Sequence, residues 1–349
     1  MASLGVRLHG VRLNLSTDHA PLLSYAREHL QGLVGPPAAE PDLDVRCLWT
    51  EGSWDPERSP FSADGPLERI GKRMLGNPDE LVWLDTQRMP GLQLRLRREP
   101  ARWSFEVSYC FHPRPKHAHE VQDYEYKKYF SLMSQLVYYP IFWQLERTRG
   151  CTLLHAAALS GPRGAVLIGG LGGVGKTTLS VALSRCPGFA LGAENLTLTD
   201  GVHVFPCSEP IRLDPRSLSL LGPVPGLTPM RFPEGLKDKH TFHTPPLEDG
   251  PPWVPRAVFL PQFSRRGVTR LAPDVAAERL VAMNRLTLEV DDYASFASAL
   301  DLHWPLPGVT VGRWRALEGL ARRAQCFHLG LDPQAGVGAA IEDVLGAIA

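Results

Sequence analysis

One stretch, Gly169–Ser180 (GGLGGVGKTTLS), constrains this chain more than any other, because it sets five glycines, a lysine and two threonines within twelve residues. Gly170, Gly175, Lys176 and Thr177 fit the spacing G-x-x-x-x-G-K-[ST]. In such a loop the backbone of Gly170, Gly172, Gly173, Val174 and Gly175 turns its N–H groups toward a polyphosphate. Lys176 would reach the β- and γ-phosphates, and the Thr177 hydroxyl would sit on Mg²⁺ with Thr178 beside it. The helix that begins near Gly175 adds the partial positive charge of its N-terminus. The flanks have the required order. Ala165–Gly169 (AVLIG) reads as a strand, and Leu179–Leu183 (LSVAL) as the buried face of a helix.

With 349 residues, 44% of them hydrophobic, the chain has room for two domains and for sizeable cores. Lys+Arg and Asp+Glu both number 37, so the net charge is zero and nothing in the balance calls for nucleic acid or an anionic membrane. The six cysteines contain no C-x-x-C pair, which argues against a zinc ribbon or a disulfide framework and suits a reducing cytoplasm. The N-terminus lacks an apolar signal-type segment. The greasiest later run, Phe130–Leu145, is broken by Ser134, Gln135, Pro140 and Gln144.

The fold expected is α/β: a phosphate-loop core preceded by a smaller α+β module. Residues 1–123 are expected to form that module, 124–150 a helical bridge, and 151–349 the phosphate-loop domain. In the module, residues 4–15 alternate apolar and polar in two short bursts, Thr17 or Asp18 can cap a helix running to Leu33, and the expected start is strand then helix. Leu43–Trp49, Val82–Thr86, Leu92–Arg97 and Trp103–Cys110 read as strands. Tyr124–Arg149 reads as mostly helical with a kink before Pro140. Beyond it, TLLHAAALS (152–160), Ala190–Thr199 and Val202–Phe205 read as strands, the last two joined at Asp200-Gly201. RAVFL is a further strand, Asp274–Arg285 and Tyr293–Leu302 are helices, Thr310–Val311 the last strand, and Gly338–Ala349 a helix. His112, His117 and His119 lack metal-ligand spacing and read as a solvated loop.

Phosphate-loop ATPases carry a second motif, an apolar strand ending in Asp that supports Mg²⁺. The strand Ala257–Leu260 ends instead in Pro261-Gln262, and the first carboxylate after the loop is Glu194 in GAENLTLTDG. His155 in LHAAAL, the loop, GAEN and SEPIRL together resemble the HPr kinase/phosphorylase family, especially its stand-alone kinase-like relatives. The loop alone is equally similar to that of ATP-dependent phosphoenolpyruvate carboxykinase. The resemblance covers about residues 150–300.

What the resemblance implies is an ATP- and Mg²⁺-dependent kinase acting on a hydroxyl, a serine of a protein or peptide or else a small molecule. A nucleotide-binding regulator without catalysis and a homo-oligomer stay open. The resemblance places His155 by the transferring phosphate, to orient or neutralise its oxygens; a histidine satisfied inside a strand is the alternative. Glu194 matches the first of two adjacent acids and would hold Mg²⁺ with Thr177 or polarise the hydroxyl. Asn195 stands where the second acid is expected. An amide accepts no proton, so Asn195→Asp is expected to raise the rate or leave it nearly unchanged. Glu209 and Arg212 match a further metal-supporting acid and its basic neighbour, or form a surface ion pair. Lys237 and Lys239, or Arg265-Arg266, are candidates for a phosphate clamp or for a solvated face.

Overall fold

The computed structural model describes residues 1–55, 59–61, 67–86, 89–113, 119–233, 238–244 and 251–349. They fall into two compact units, one of Met1–Gln144, Arg231–Leu236 and Asp292–Leu306, the other of Leu145–Met230, Lys237–Asp291 and Pro307–Ala349. The first break between them falls at 144/145. The expected boundary at 123/124 lies inside the first unit, and most of the expected bridge belongs to it.

In the first unit the chain runs β1 (Ala2–Leu8), β2 (Val11–Thr17), α1 (Ala20–His29), β3 (Val34–Gly35), β4 (Leu43–Glu51), β5 (Glu68–Gly71), β6 (Met74–Asn77), β7 (Glu80–Trp83), β8 (Leu92–Arg98) and β9 (Trp103–Phe111). These strands make one nine-stranded sheet, β3-β1-β2-β4-β9-β8-β7-β6-β5. Only β2–β4 and β4–β9 pair in parallel. Leu13, Leu15, Leu43, Val45, Phe105 and Val107 are fully buried at alternate positions, as a half-covered sheet requires. Phe105 meets Trp143 and Phe296, rings from the helices that cover it. The helix expected to reach Leu33 stops at His29. Gly32 at φ 87° breaks it, and Leu33 N–H turns back to Leu30 O. Neither Thr17 nor Asp18 caps it; Thr17 ends β2 and its hydroxyl accepts the His19 N–H.

α2 (Val121–Met133) and α3 (Tyr139–Arg149) are joined by a π-helical turn, Ser134–Tyr138, where a kink was expected. Tyr139 N–H reaches back five residues to Ser134 O. Pro140 has no N–H to continue the tighter ladder, so the wider turn accommodates it.

The second unit continues with β10 (Thr152–Leu154), β11 (Ala156–Ser160), β12 (Ala165–Gly169), α4 (Lys176–Leu183), β13 (Ala190–Ala193), β14 (Thr197–Thr199), β15 (Val204–Pro206), β16 (Ile211–Leu213), α5 (Pro215–Leu221), β17 (Thr228–Pro229) and β18 (His240–Phe242). It closes with β19 (Pro255–Phe263), β20 (Gly267–Arg270), α6 (Pro273–Leu286), α7 (Leu288–His303, its C-terminal part in the first unit), α8 (Val309–Arg323), β21 (Gln325–Leu331) and α9 (Gly336–Ile348). A mixed six-stranded sheet, β13-β11-β12-β19-β21-β20, is its centre, with β12, β19 and β21 parallel. The period of two along each strand decides the layering. Ala156, Ala158, Leu167 and Val258 join Leu280, Leu317 and Leu320 of α6 and α8 in one core. Ala157, Leu159, Val166, Ile168 and Phe259 join Leu179, Leu183 and Val344 of α4 and α9 in the other. Each fully buried leucine contributes about 1.5–3 kcal/mol.

Thr310–Val311, expected as the last strand, lies instead in α8. Ala316, Leu317, Leu320 and Ala321 recur at helical spacing and are buried. The strand follows the helix as β21. The Asp200-Gly201 hairpin is present, with Asp200 Oδ1 accepting the N–H groups of Val202 and His203. Gly201 (φ 86°) packs directly on α8. A Cβ there would lie 3.0 Å from Ala316 O, and a Cβ on Gly319 would lie 3.0 Å from Gly201 O.

Candidate functional site

A cavity of about 1000 Å³ opens beside the glycine-rich loop, at the C-terminal ends of the parallel strands, where open α/β sheets take ligands. Its lining includes Gly172, Gly173, Val174, Gly175, Lys176, Thr177, Thr178, His155, Glu194, Asn195 and Arg212. Gly173 (φ 81°) and Gly175 (φ 96°) adopt the left-handed conformation. A Cβ on Gly172 or Gly173 would meet nothing within 4 Å, whereas Gly170 has no room for one, since Val174 Cγ1 would lie 2.8 Å away. Gly175 is the N-cap of α4 and brings no side chain to its first N–H groups, which leaves them for a ligand.

Lys176 is the first residue of α4 and is only 6% exposed, not at a solvated junction as a surface-loop lysine would be. Its Nζ lies 3.4 Å from Leu171 O. Burial lowers the ammonium pKa, an effect Glu194 and Glu289 oppose. The Thr177 hydroxyl donates to Glu194 Oε1, so the two expected Mg²⁺ ligands touch. An all-oxygen pair of this kind suits Mg²⁺, which keeps waters and phosphate oxygens as its other ligands. No group of three or more His, Cys, Asp or Glu that could hold a metal occurs among the described residues. Thr178 Oγ1 donates to Ser217 Oγ at 3.1 Å and so ties α4 to α5.

Two runs expected as single strands are each broken in two, and the breaks carry the site. β10 and β11 are separated by His155, and β13 and β14 by Glu194–Leu196. β11 and β13 pair in the six-stranded sheet, whereas β10 and β14 pair in a separate sheet, β10-β14-β15. Both chains change sheets at one level, which removes these residues from the ladders and brings their side chains together. His155 Nε2 lies 3.1 Å from Asn195 Oδ1, and Nδ1 lies 3.0 Å from Thr287 Oγ1.

Burial first, then the nearby Lys176 charge, pushes the His155 pKa down to about 4. The imidazole is therefore neutral at physiological pH with both nitrogens engaged. Glu209 is pushed up to about 7 by burial, against the pull of Arg212 and with Glu194 adding to the rise. The Asn195 amide favours the charged form of this carboxylate. Glu209 therefore feels the same charges as the cluster, and Asn195 and Arg212 line the cavity.

Of the candidate clamps, Lys239 lines the cavity, and Arg266 does so while paired with Glu342 and Asp343 of α9. Arg265 is exposed; Lys237 and His117 lie outside the described residues. His112 Nδ1 donates to Cys110 O of β9, and His119 pairs with Glu120.

Sequence reasoning missed Asn284, Thr287, Glu289 and Asp332. The first three sit at the α6–α7 junction, with no motif to mark them. Asp332 had a signal: QCFHLGLD is an apolar strand ending in Asp, obscured by assigning the last strand to 310–311. Asp332 lines the cavity at the end of β21, and its Oδ1 accepts the Gln334 N–H. No family model matches the chain, and no curated protein matches it.

Proposed function

We propose that the second unit binds ATP with Mg²⁺ and transfers the γ-phosphoryl group to a hydroxyl, a serine of a protein or peptide or a small-molecule alcohol. One observation carries the reading. Thr177, at the open N-terminus of α4, is hydrogen-bonded to Glu194 beside a loop whose glycines leave space for phosphates. The N–H groups of the loop and of α4 would bind the phosphates, and Lys176 would bridge β and γ oxygens. Mg²⁺ held by Thr177 and Glu194 would supply charge neutralisation at the γ-phosphate. Phosphoryl transfer needs positioning and charge more than covalent help, and the cavity offers both.

The first unit is proposed to select the acceptor. The test is incubation with γ-labelled ATP, Mg²⁺ and candidate acceptors encoded beside the gene, read by mass spectrometry. A stoichiometric phosphoproduct supports the kinase; tight ATP binding without product across those acceptors removes it. The second reading, a nucleotide-binding regulator, rests on the amide at Asn195, which cannot serve as a base.

A further inference from the structure

Among the described residues five carboxylates line the cavity: Glu194, Asp214, Glu289, Asp332 and Asp343. Three of them serve the fold around them. Asp214 Oδ1 accepts the Ser217 N–H at 2.7 Å as the cap of α5, Asp332 Oδ1 accepts the Gln334 N–H at 2.9 Å, and Asp343 pairs with Arg266. Glu194 is 7% exposed and takes the Thr177 hydroxyl. That place suits a metal ligand better than a base, because a carboxylate held on Mg²⁺ takes up a proton poorly.

Glu289 is placed differently, in the first turn of α7 and exposed. The junction that carries it is stapled to the break between β10 and β11. His155 N–H donates to Asn284 Oδ1 at 3.1 Å, and Asn284 Nδ2 donates to Leu153 O at 2.8 Å. Thr287 Oγ1, which donates to Met283 O at 2.9 Å, lies 3.0 Å from His155 Nδ1. Thr287 N–H bonds Asn284 O, and Thr287 O accepts the Asp291 N–H, so α6 passes directly into α7. Leu286 and Leu288, on either side of the buried Thr287, are 70% and 68% exposed and line the cavity too. Glu289 thus stands at the mouth, two residues beyond a side chain that meets His155. Its charge reaches Lys176 and His155, opposing the fall of both pKa values.

We infer that Glu289 supplies the base that Asn195 cannot: the cavity divides its acidic tasks between a buried metal ligand, Glu194, and an exposed proton acceptor, Glu289, brought in from the α6–α7 junction. The inference rests on the kinase reading. As the acceptor oxygen bonds the γ-phosphorus, its O–H proton passes to the Glu289 carboxylate. The bond from the γ-phosphorus to the β–γ bridging oxygen breaks, and ADP leaves with that electron pair. Glu289 then gives its proton to solvent at the mouth. The acceptor enters from that same side, so the base meets it before the metal does.

The test gives the full-length protein MgATP with a pool of serine- and threonine-containing peptides in one arm and a pool of small alcohols in the other. Rates are then measured in whichever arm yields phosphoproduct. Glu289→Gln should lower kcat by about 10²–10⁴-fold, the usual worth of general-base help. Its MgATP dissociation constant, its Mg²⁺ concentration at half-maximal rate and its melting temperature should match wild type, whereas Glu194→Gln should raise the Mg²⁺ requirement. Glu289→Asp keeps a carboxylate and should turn over faster than Glu289→Gln. Three results overturn the inference and leave the kinase reading standing: full kcat in Glu289→Gln, a loss there matched by weaker MgATP binding or a raised Mg²⁺ requirement, or Glu289→Asp no faster than Glu289→Gln. Phosphoproduct from the wild type in neither arm removes the kinase reading, and the inference with it.

Discussion

At the scale of single residues the site is a set of buried polar groups whose protonation is set by neighbours. Lys176→Ala removes a buried ammonium whose hydrogen bond is to Leu171 O, so the fold should survive. Turnover should fall by about 10²–10³-fold, the usual loss when one charge-stabilising donor is deleted; an unchanged rate in a phosphate-release assay would remove Lys176 from the chemistry. Glu194→Gln should reduce Mg²⁺-dependent turnover by more than it weakens ATP binding, as compared by product assay and calorimetry. Equal losses would make Glu194 structural. Glu209 and His155 bear on stability with opposite signs. Glu209 is raised from 4.5 to about 7, so its burial favours the fold more as pH falls through that window. His155 is lowered from 6.5 to about 4, so the unfolded chain takes up its proton first and the fold is weakened as pH falls through that range. The two effects oppose each other between pH 4.5 and 6.5. Glu209→Gln should therefore make the melting temperature fall more steeply on acidification there, and a parallel slope in wild type and variant would contradict the assignment.

At the scale of elements, legibility followed how local the cause was. The loop between β12 and α4 was readable because its glycines, lysine and threonines act through near neighbours in sequence. The Asp200-Gly201 hairpin was readable for the same reason, since Asp200 bonds residues two and three places on. The breaks at His155 and at Glu194–Leu196 were not, because TLLHAAALS and ALGAENLTLT each have the composition of a continuous strand. What divides them is a change of sheet, which depends on partners more than 30 residues away. The residues serving His155 from α6 were invisible for a stronger form of that reason: Asn284 and Thr287 stand 129 and 132 positions away. α8 was misread from two β-branched residues, Thr310 and Val311, although the helical period from Ala316 to Ala321 lies just beyond. Leu320→Ala tests that element. A fully buried leucine on the sheet-facing side of a helix should cost about 2–5 kcal/mol in denaturant unfolding, with nucleotide affinity of the folded protein unchanged.

At the scale of the whole molecule, the units are interleaved in sequence, so truncation is a poor way to separate them. Removing residues 1–120 takes away every strand of the nine-stranded sheet but leaves α2, the N-terminal half of α3 and residues 292–306, which belong to the same unit. Trp143 and Phe296 would lose Phe105, and the truncated protein should aggregate on expression because that aromatic surface is uncovered. A soluble truncation with full activity on the acceptor would also remove the recognition role proposed for the first unit. The seam between Gly201 and Gly319 has a consequence of another kind. The hairpin it seats on α8 directly follows the segment between β13 and β14 that carries Glu194 and Asn195, yet neither glycine lines the cavity. One methyl group at Gly319 would wedge that seam without altering any group that meets a ligand. Gly319→Ala should therefore lower the melting temperature while leaving every group on the cavity wall in place, and that combination is what a geneticist looks for in a heat-sensitive allele.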